Sequence, residues 1–286
     1  MAMKIYAIIV FSLVLCATAH ADFPFKKKPQ EFTTRKPGDV ANTLSNGTAV
    51  QRNDLALELG ILAPNPSKPG TNSNSPCVNF HHVEQRPVTL RAGSENVVLL
   101  ADSTECDSLY LVVFDKAQKS EWRHVRTVRL PAHTRRPEVS FAELVQPGVS
   151  EILVHHEKTL DTGGAQQENF VVLKMLGERL EVVLDTTEHS EITLANRSPD
   201  ETDILQQTQT STFDLLKSPA KSSATYRVLE KEVLTDNKTT ITRYRVWTWN
   251  PELESFRSSP FDGGVVRPAP PPAKKPTTAP AQPSPK

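Results

Sequence analysis

Short apolar runs rich in β-branched residues, separated by polar turns, dominate the middle of the chain. Val97–Leu100, Leu109–Phe114, Glu151–Val154, Phe170–Leu173 and Leu180–Leu184 have the length of strands rather than of helices. Farther on, Tyr244, Val246 and Thr248 alternate with Arg243, Arg245, Trp247 and Trp249. A period of two places these two sets on opposite faces of a sheet. Only Glu201–Lys217 has the length for a longer helix, and its Gln, Thr and Ser content suits a loop equally well. The pattern predicts one all-β domain over residues 77–261, enough chain for a single core.

Within that domain a strand, a polar connection and a hairpin recur three times. The predicted hairpins are Leu109–Leu130, Asn169–Asp185 and Arg243–Arg257, preceded by strands at Val97–Leu100, Glu151–Val154 and Tyr226–Leu234. Leu176-Gly177-Glu178 and Asn250-Pro251-Glu252 supply turn chemistry, because Gly takes positive φ and Asn-Pro initiates turns. Val88–Arg91 is expected to pair with Val97–Leu100 through Ala92-Gly93-Ser94. The echo is either an internal repeat or the ordinary spacing of hairpins in an all-β domain. The expected architecture is a two-layer antiparallel β-sandwich or an open partial β-propeller of about three hairpin units, fewer than the roughly four to eight blades that close a ring.

The flanks differ in composition. Lys4 precedes an apolar run from Ile5 to Ala17, and Ala19-His20-Ala21 ends it, the order of a secretory signal cleaved after residue 21. That run is shorter than the roughly twenty residues of a membrane-spanning helix, so the mature chain is expected to carry no transmembrane segment and to reach the periplasm or the extracellular space. A competing use of Cys16 for lipid attachment meets bulky Leu15 where a small residue is wanted. Residues 22–76 are polar, with four prolines between Pro64 and Pro76, and read as a disordered leader. Asn53–Leu62 is an exception to that composition, a short helical turn with Asn53 as its cap and Leu55, Leu59 and Leu62 on one side, expected to be transient. Residues 262–286 read as a disordered tail, with eight prolines from Pro268 onward, a spacer or a wall-contacting segment.

Removing the signal leaves 32 basic against 33 acidic residues. So even a balance argues against a nucleic-acid partner, whose footprint is a concentrated excess of Lys and Arg. It also leaves two cysteines, Cys77 and Cys106. In an oxidising compartment they are expected to pair; the other reading is two buried free thiols.

Pro147-Gly148-Val149-Ser150-Glu151-Ile152-Leu153-Val154 resembles the G-x-x-E-hydrophobic-hydrophobic-V stretch of FG-GAP or VCBS-type repeats. The likeness extends over residues 145–184 and implies a propeller blade opening at this stretch, with its outer hairpin at Gly177 and Leu180–Leu184. Those repeats place calcium-binding aspartates before the glycine, where this chain has Val145, Gln146 and Pro147. Calcium takes about six or more oxygen ligands, so the resemblance carries over no metal site.

No motif assigns chemistry firmly. Asp161-Thr162-Gly163 has the form of an aspartic-protease turn, but polar residues precede it where those proteases have an apolar strand, and it has no second copy in the chain. A polar hairpin loop bending at Gly163-Gly164 is the other reading. His81-His82 and His155-His156 cannot chelate as adjacent pairs, since neighbouring strand residues point to opposite faces. A zinc site would take one histidine from each pair and a third ligand; half-exposed positions at strand ends are the alternative. With no nucleophile elbow and no phosphate loop, no catalytic, metal or cofactor residues are expected. The remaining candidate is the set Arg243, Arg245, Trp247 and Trp249, either a binding surface, since Arg and Trp are enriched in hot spots, or a layer packed beneath a second sheet. The expected function is a noncatalytic exported β-domain that binds a protein or cell-envelope partner, with an exported hydrolase as the alternative.

Overall fold

A computed structural model describes residues 35–62, 78–103, 106–116, 122–131, 136–159, 166–194, 205–220, 222, 224–236, 239–262 and 265–268. Two antiparallel sheets account for most of them. The first is a four-stranded meander, β1 (His82–Val88), β2 (Glu95–Ser103), β3 (Ser108–Lys116) and β4 (Trp122–Pro131), paired in chain order. The second has nine strands. In it β5 (Glu138–Gln146), β6 (Val149–Thr159), β7 (Gln166–Leu176) and β8 (Arg179–Leu194) lead into β9 (Leu205–Lys217), β10 (Tyr226–Thr235), β11 (Thr239–Asn250) and β12 (Ser255–Ser258), again in chain order. β13 (Val265–Pro268) pairs with the far end of β11.

The longer sheet is two four-stranded halves joined at β8. Residues 179–190 of β8 pair with β7, while residues 189–194 pair with β9. Past this hinge the second half folds over the first, so that β12 meets β8 and β10 meets β5. The amide of Thr225 even donates to the carbonyl of Val145, at 3.2 Å. Three four-stranded meanders, β1–β4, β5–β8 and β9–β12, are therefore stacked face to face and do not close. The threefold echo in the sequence corresponds to these units.

Period-two alternation explains why β2, β3, β6 and β7 read as continuous apolar runs: both their faces are covered. In β3, Leu111 and Val113 face the middle unit, meeting Ile152, Val171 and Leu173. Their neighbours Tyr110, Val112 and Phe114 face the opposite way. The other face of the middle unit sends Leu153, Phe170 and Val172 toward Val228, Trp249 and Phe256 of the third. The Gly93 turn expected between the first two strands is present, at φ +73°, but the partners of Val97–Leu100 are Glu84–Pro87 rather than Val88–Arg91, because the wider turn puts Val88 opposite Asn96.

Four expectations are corrected. The leader, read as disordered over residues 22–76, contains two docked helices, α1 (Pro37–Asn46) and α2 (Ala49–Glu58). Val40, Leu44, Leu55, Ala56 and Leu59 bury against the free face of β2 and β3. A few apolar residues at helical spacing suffice for docking, whereas the polar average of the segment conceals them. Thr48, not Asn53, caps α2: its hydroxyl accepts from the Gln51 amide and the Gln51 side chain accepts from the Thr48 amide, a capping box. Residues 201–217, read as helix or loop, form β9 from Leu205, its Thr208, Thr210 and Thr212 recurring at the strand period. Finally, β13 extends pairing to Pro268, past the expected boundary at residue 261.

Candidate functional site

Arg243, Arg245, Trp247 and Trp249 do share one face of β11, as the alternation required. That face points into the stack, so the expected interaction surface is corrected to an internal one. Trp249 is buried against Phe256, ring centroids 5.5 Å apart, and Trp247 is partly buried in the same cluster. The arginines go inward because β10 places two carboxylates opposite them: Glu230 faces Arg245 and Glu232 faces Arg243. Glu230 is fully buried and accepts from Arg245 Nε at 2.6 Å, Trp247 Nε1 at 2.7 Å and the Ser211 hydroxyl at 3.1 Å. Glu232 accepts from Arg243 Nε and from Gln209 at 2.9 Å. Phe261 covers both guanidinium groups, at 4.0 and 4.3 Å. Of the two readings of this set, the layer packed beneath a second sheet is the one present, and Tyr244 and Thr248 on the opposite face are exposed.

The other charged groups that drew attention in the sequence are also committed to structure. Glu151, the glutamate of the repeat-like stretch, is fully buried. One oxygen accepts from the Leu144 and Val145 amides, at 2.7 and 3.3 Å, where β5 bulges; the other takes the Lys174 ammonium at 2.5 Å. Gly148 and Gly177 turn at φ +74° and +61°, conformations that disfavour any side chain. Asp115 receives Arg91 at 2.6 Å and Arg123 at 3.1 Å, and Arg123 continues to Glu178 at 3.0 Å, tying the first unit to the second.

The histidine pairs part as expected of neighbouring strand residues. His155 contacts Glu188 at 2.8 Å, His156 contacts the Glu157 carbonyl at 2.8 Å, and His81 lies 3.4 Å from Asp102. The cavity beside His155 and His156 has a volume of about 10 Å³, room for one water at most. Among the described residues no three His, Cys, Asp or Glu side chains are grouped to hold a metal, and no helix is long and apolar enough to cross a membrane. Cys106 lies in the turn between β2 and β3, where its carbonyl accepts from the Ser108 hydroxyl at 2.7 Å. Cys77 and Asp161-Thr162-Gly163 lie outside the described residues.

The concave site is elsewhere, between the edge strand of each sheet. β1 and β5 run past one another around a cleft of about 510 Å³ lined by Glu84, Arg86, Pro87, Phe141, Glu143 and Ser150, among others. Its floor is tied at two points: Arg86 donates to the Val139 carbonyl at 3.1 Å, and the Ser150 amide donates to the Thr89 carbonyl at 2.7 Å. Arg86 also lies 5.9 Å over the Phe141 ring. Its paired hydrogen bonds, at 2.7 and 2.9 Å, hold the Glu84 carboxyl below the usual carboxylate range. Five consecutive residues of β1, 84–88, and the adjoining Thr89 border the cleft, so the strand presents its backbone edge there. Sequence reasoning missed this site because it arises where two edges meet, and no single motif carries it.

No protein-family model matches the chain, no curated protein matches it, and no solved structure does either.

Proposed function

We propose that this chain is an exported, noncatalytic β-domain that binds a protein or cell-envelope partner in the cleft between β1 and β5. The observation that carries the proposal is the cleft's setting: about 510 Å³ of open volume beside an edge of β1 that no described strand pairs. That volume falls within the roughly 300–1,000 Å³ range of binding pockets. A bare strand edge can take an extended segment as an added strand, its backbone groups giving affinity and flanking side chains giving selectivity. Pro87 and the Glu84–Arg86 pair fit this role, since they also discourage indiscriminate edge-to-edge pairing.

The signal-like amino terminus supports export, and the proline-rich residues beyond Pro268 suit a spacer that gives the domain reach. A Cys77–Cys106 bridge belongs to the same proposal. Cys106 is engaged rather than a free thiol, and Cys77 is the other cysteine left once the signal is removed.

The test immobilises the mature chain and a Glu84→Lys/Glu143→Lys variant, whose changes lie on the cleft rim, and passes host envelope and extracellular extract over both. A partner retained by the first and lost by the second supports the proposal. Equal retention by both removes the cleft, and hydrolytic turnover without a retained partner overturns the noncatalytic reading.

A further inference from the structure

Among the described residues, the stack is covered at one end only. Helices α1 and α2 cover the outer face of the first unit, whereas no described element covers the outer face of β9–β11. The registers set that face out as a grid of three strands by five rows. Across its middle, Thr212, Lys231 and Tyr244 form one row, and Asp214, Leu229 and Val246 form the next. Not one of its fifteen side chains is buried, and Tyr244 is 41% exposed. Twelve of the fifteen carry no charge; the exceptions are Asp214, Arg227 and Lys231. Among its seven threonines, Leu216, Leu229, Val233, Tyr244 and Val246 form a diagonal apolar stripe across the three strands that no described element covers, the kind of exposed patch that marks a contact surface.

We propose that a second copy of this chain packs on the outer face of β9–β11, forming a two-fold symmetric dimer. The cleft between β1 and β5 is not involved. At about 4.8 Å between strands and about 6.8 Å between rows, the grid spans roughly 14 by 34 Å. Each copy therefore buries on the order of 500 Å², and the pair about 1,000 Å², the lower bound for a specific interface. The charges fix the arrangement. A two-fold axis running across the strands, between the Lys231 and Leu229 rows, lays Tyr244 of one copy over the partner's Val246. The same axis sets each Lys231 beside the partner's Asp214, so two opposite-charge pairs form and no like charges meet.

The test is sedimentation equilibrium of the full mature chain from about 1 to 200 μM. An interface near the lower size bound is expected to dissociate within that concentration range. Lys231→Glu and Asp214→Lys should each weaken it about tenfold, and the double exchange should restore it. Circular dichroism identifies any variant that has lost the fold, and the wild-type titration stands without variants. A wild-type chain that stays monomeric to 200 μM overturns the proposal, as does a dimer indifferent to both well-folded single variants.

Discussion

Acid should weaken this fold through one histidine, and the size of the effect follows from where its ring lies. His124 on β4 is 2% exposed, its ring 5.7 Å from that of Phe114 on the face covered by α1 and α2. Its Nε2 meets the Thr127 hydroxyl at 3.0 Å. Burial pushes the His124 pKa down from 6.5 to about 4, against a smaller upward pull from a backbone hydrogen bond at Arg126 and from the charge of Glu58. The unfolded chain thus takes up the proton more readily than the folded one. Stability is undiminished above the unfolded value of about 6.5, falls as pH drops toward 4, and levels off below that. The full penalty is about 3 kcal/mol, of which about 2.5 kcal/mol is in place at about pH 4.5.

His124→Phe keeps the ring and removes the proton site. Urea denaturation of both chains, followed by tryptophan fluorescence between about pH 7.5 and 4.5, gives a difference in stability in which the shared carboxylates cancel. The variant should gain about 2.5 kcal/mol on wild type across that interval, with most of the change below about pH 6. Parallel curves would refute the reasoning, as would an NMR titration placing the His124 ring above about pH 6.

Three further outcomes follow from buried contacts. Glu151→Ala strands the buried Lys174 ammonium and two bulge amides, and should cost about 3–5 kcal/mol in a denaturant titration. Arg245→Met leaves the Glu230 carboxylate buried beside only Trp247 and Ser211; it should cost about 3 kcal/mol, and Glu230→Gln in the same chain should recover at least half of that loss. Changing Cys77 and Cys106 to serine should lower stability by about 2–4 kcal/mol without abolishing the fold, and thiol titration of the denatured, unreduced mature protein should find no free thiol.

Most of the strands were legible because both their faces are covered. Val97–Leu100 and Leu109–Phe114 appear as unbroken apolar runs only where one core lies on each side, here the helices and the middle unit. The helices were not legible as docked elements, because what anchors Val40, Leu44, Leu55 and Leu59 is a surface formed by residues 97–114, and no local pattern announces a distant surface. β9 was obscured for the opposite reason. One of its faces lies under no other described layer of this chain, so Thr208, Thr210 and Thr212 replaced the valines that would have marked a strand. The cleft depends on which strands are left at the edges, a property of the assembled sheets alone.

The undecided face of β11 shows where a stronger inference was available. A period of two tells which residues travel together but not which set turns inward, and the alternation alone leaves the arginine and tryptophan set as either a surface or a buried layer. The preceding strand holds the missing information. Val228, Glu230 and Glu232 alternate with Leu229, Lys231 and Val233, and the connection to β11 turns at Asp236–Thr239, with Thr235 opposite Thr240. Counting back from that tight turn sets Glu232 opposite Arg243 and Glu230 opposite Arg245. Two carboxylates facing two guanidinium groups can enter a core together, because each supplies the partner whose absence would keep the other in water. Once those charges are matched, Trp247 and Trp249 outweigh Tyr244 and Val246 in apolar area, and the arginine face becomes the inner one. The hydropathy of a strand therefore has to be judged with its hairpin partner in register, since a charge that pairs across the ladder no longer counts against burial.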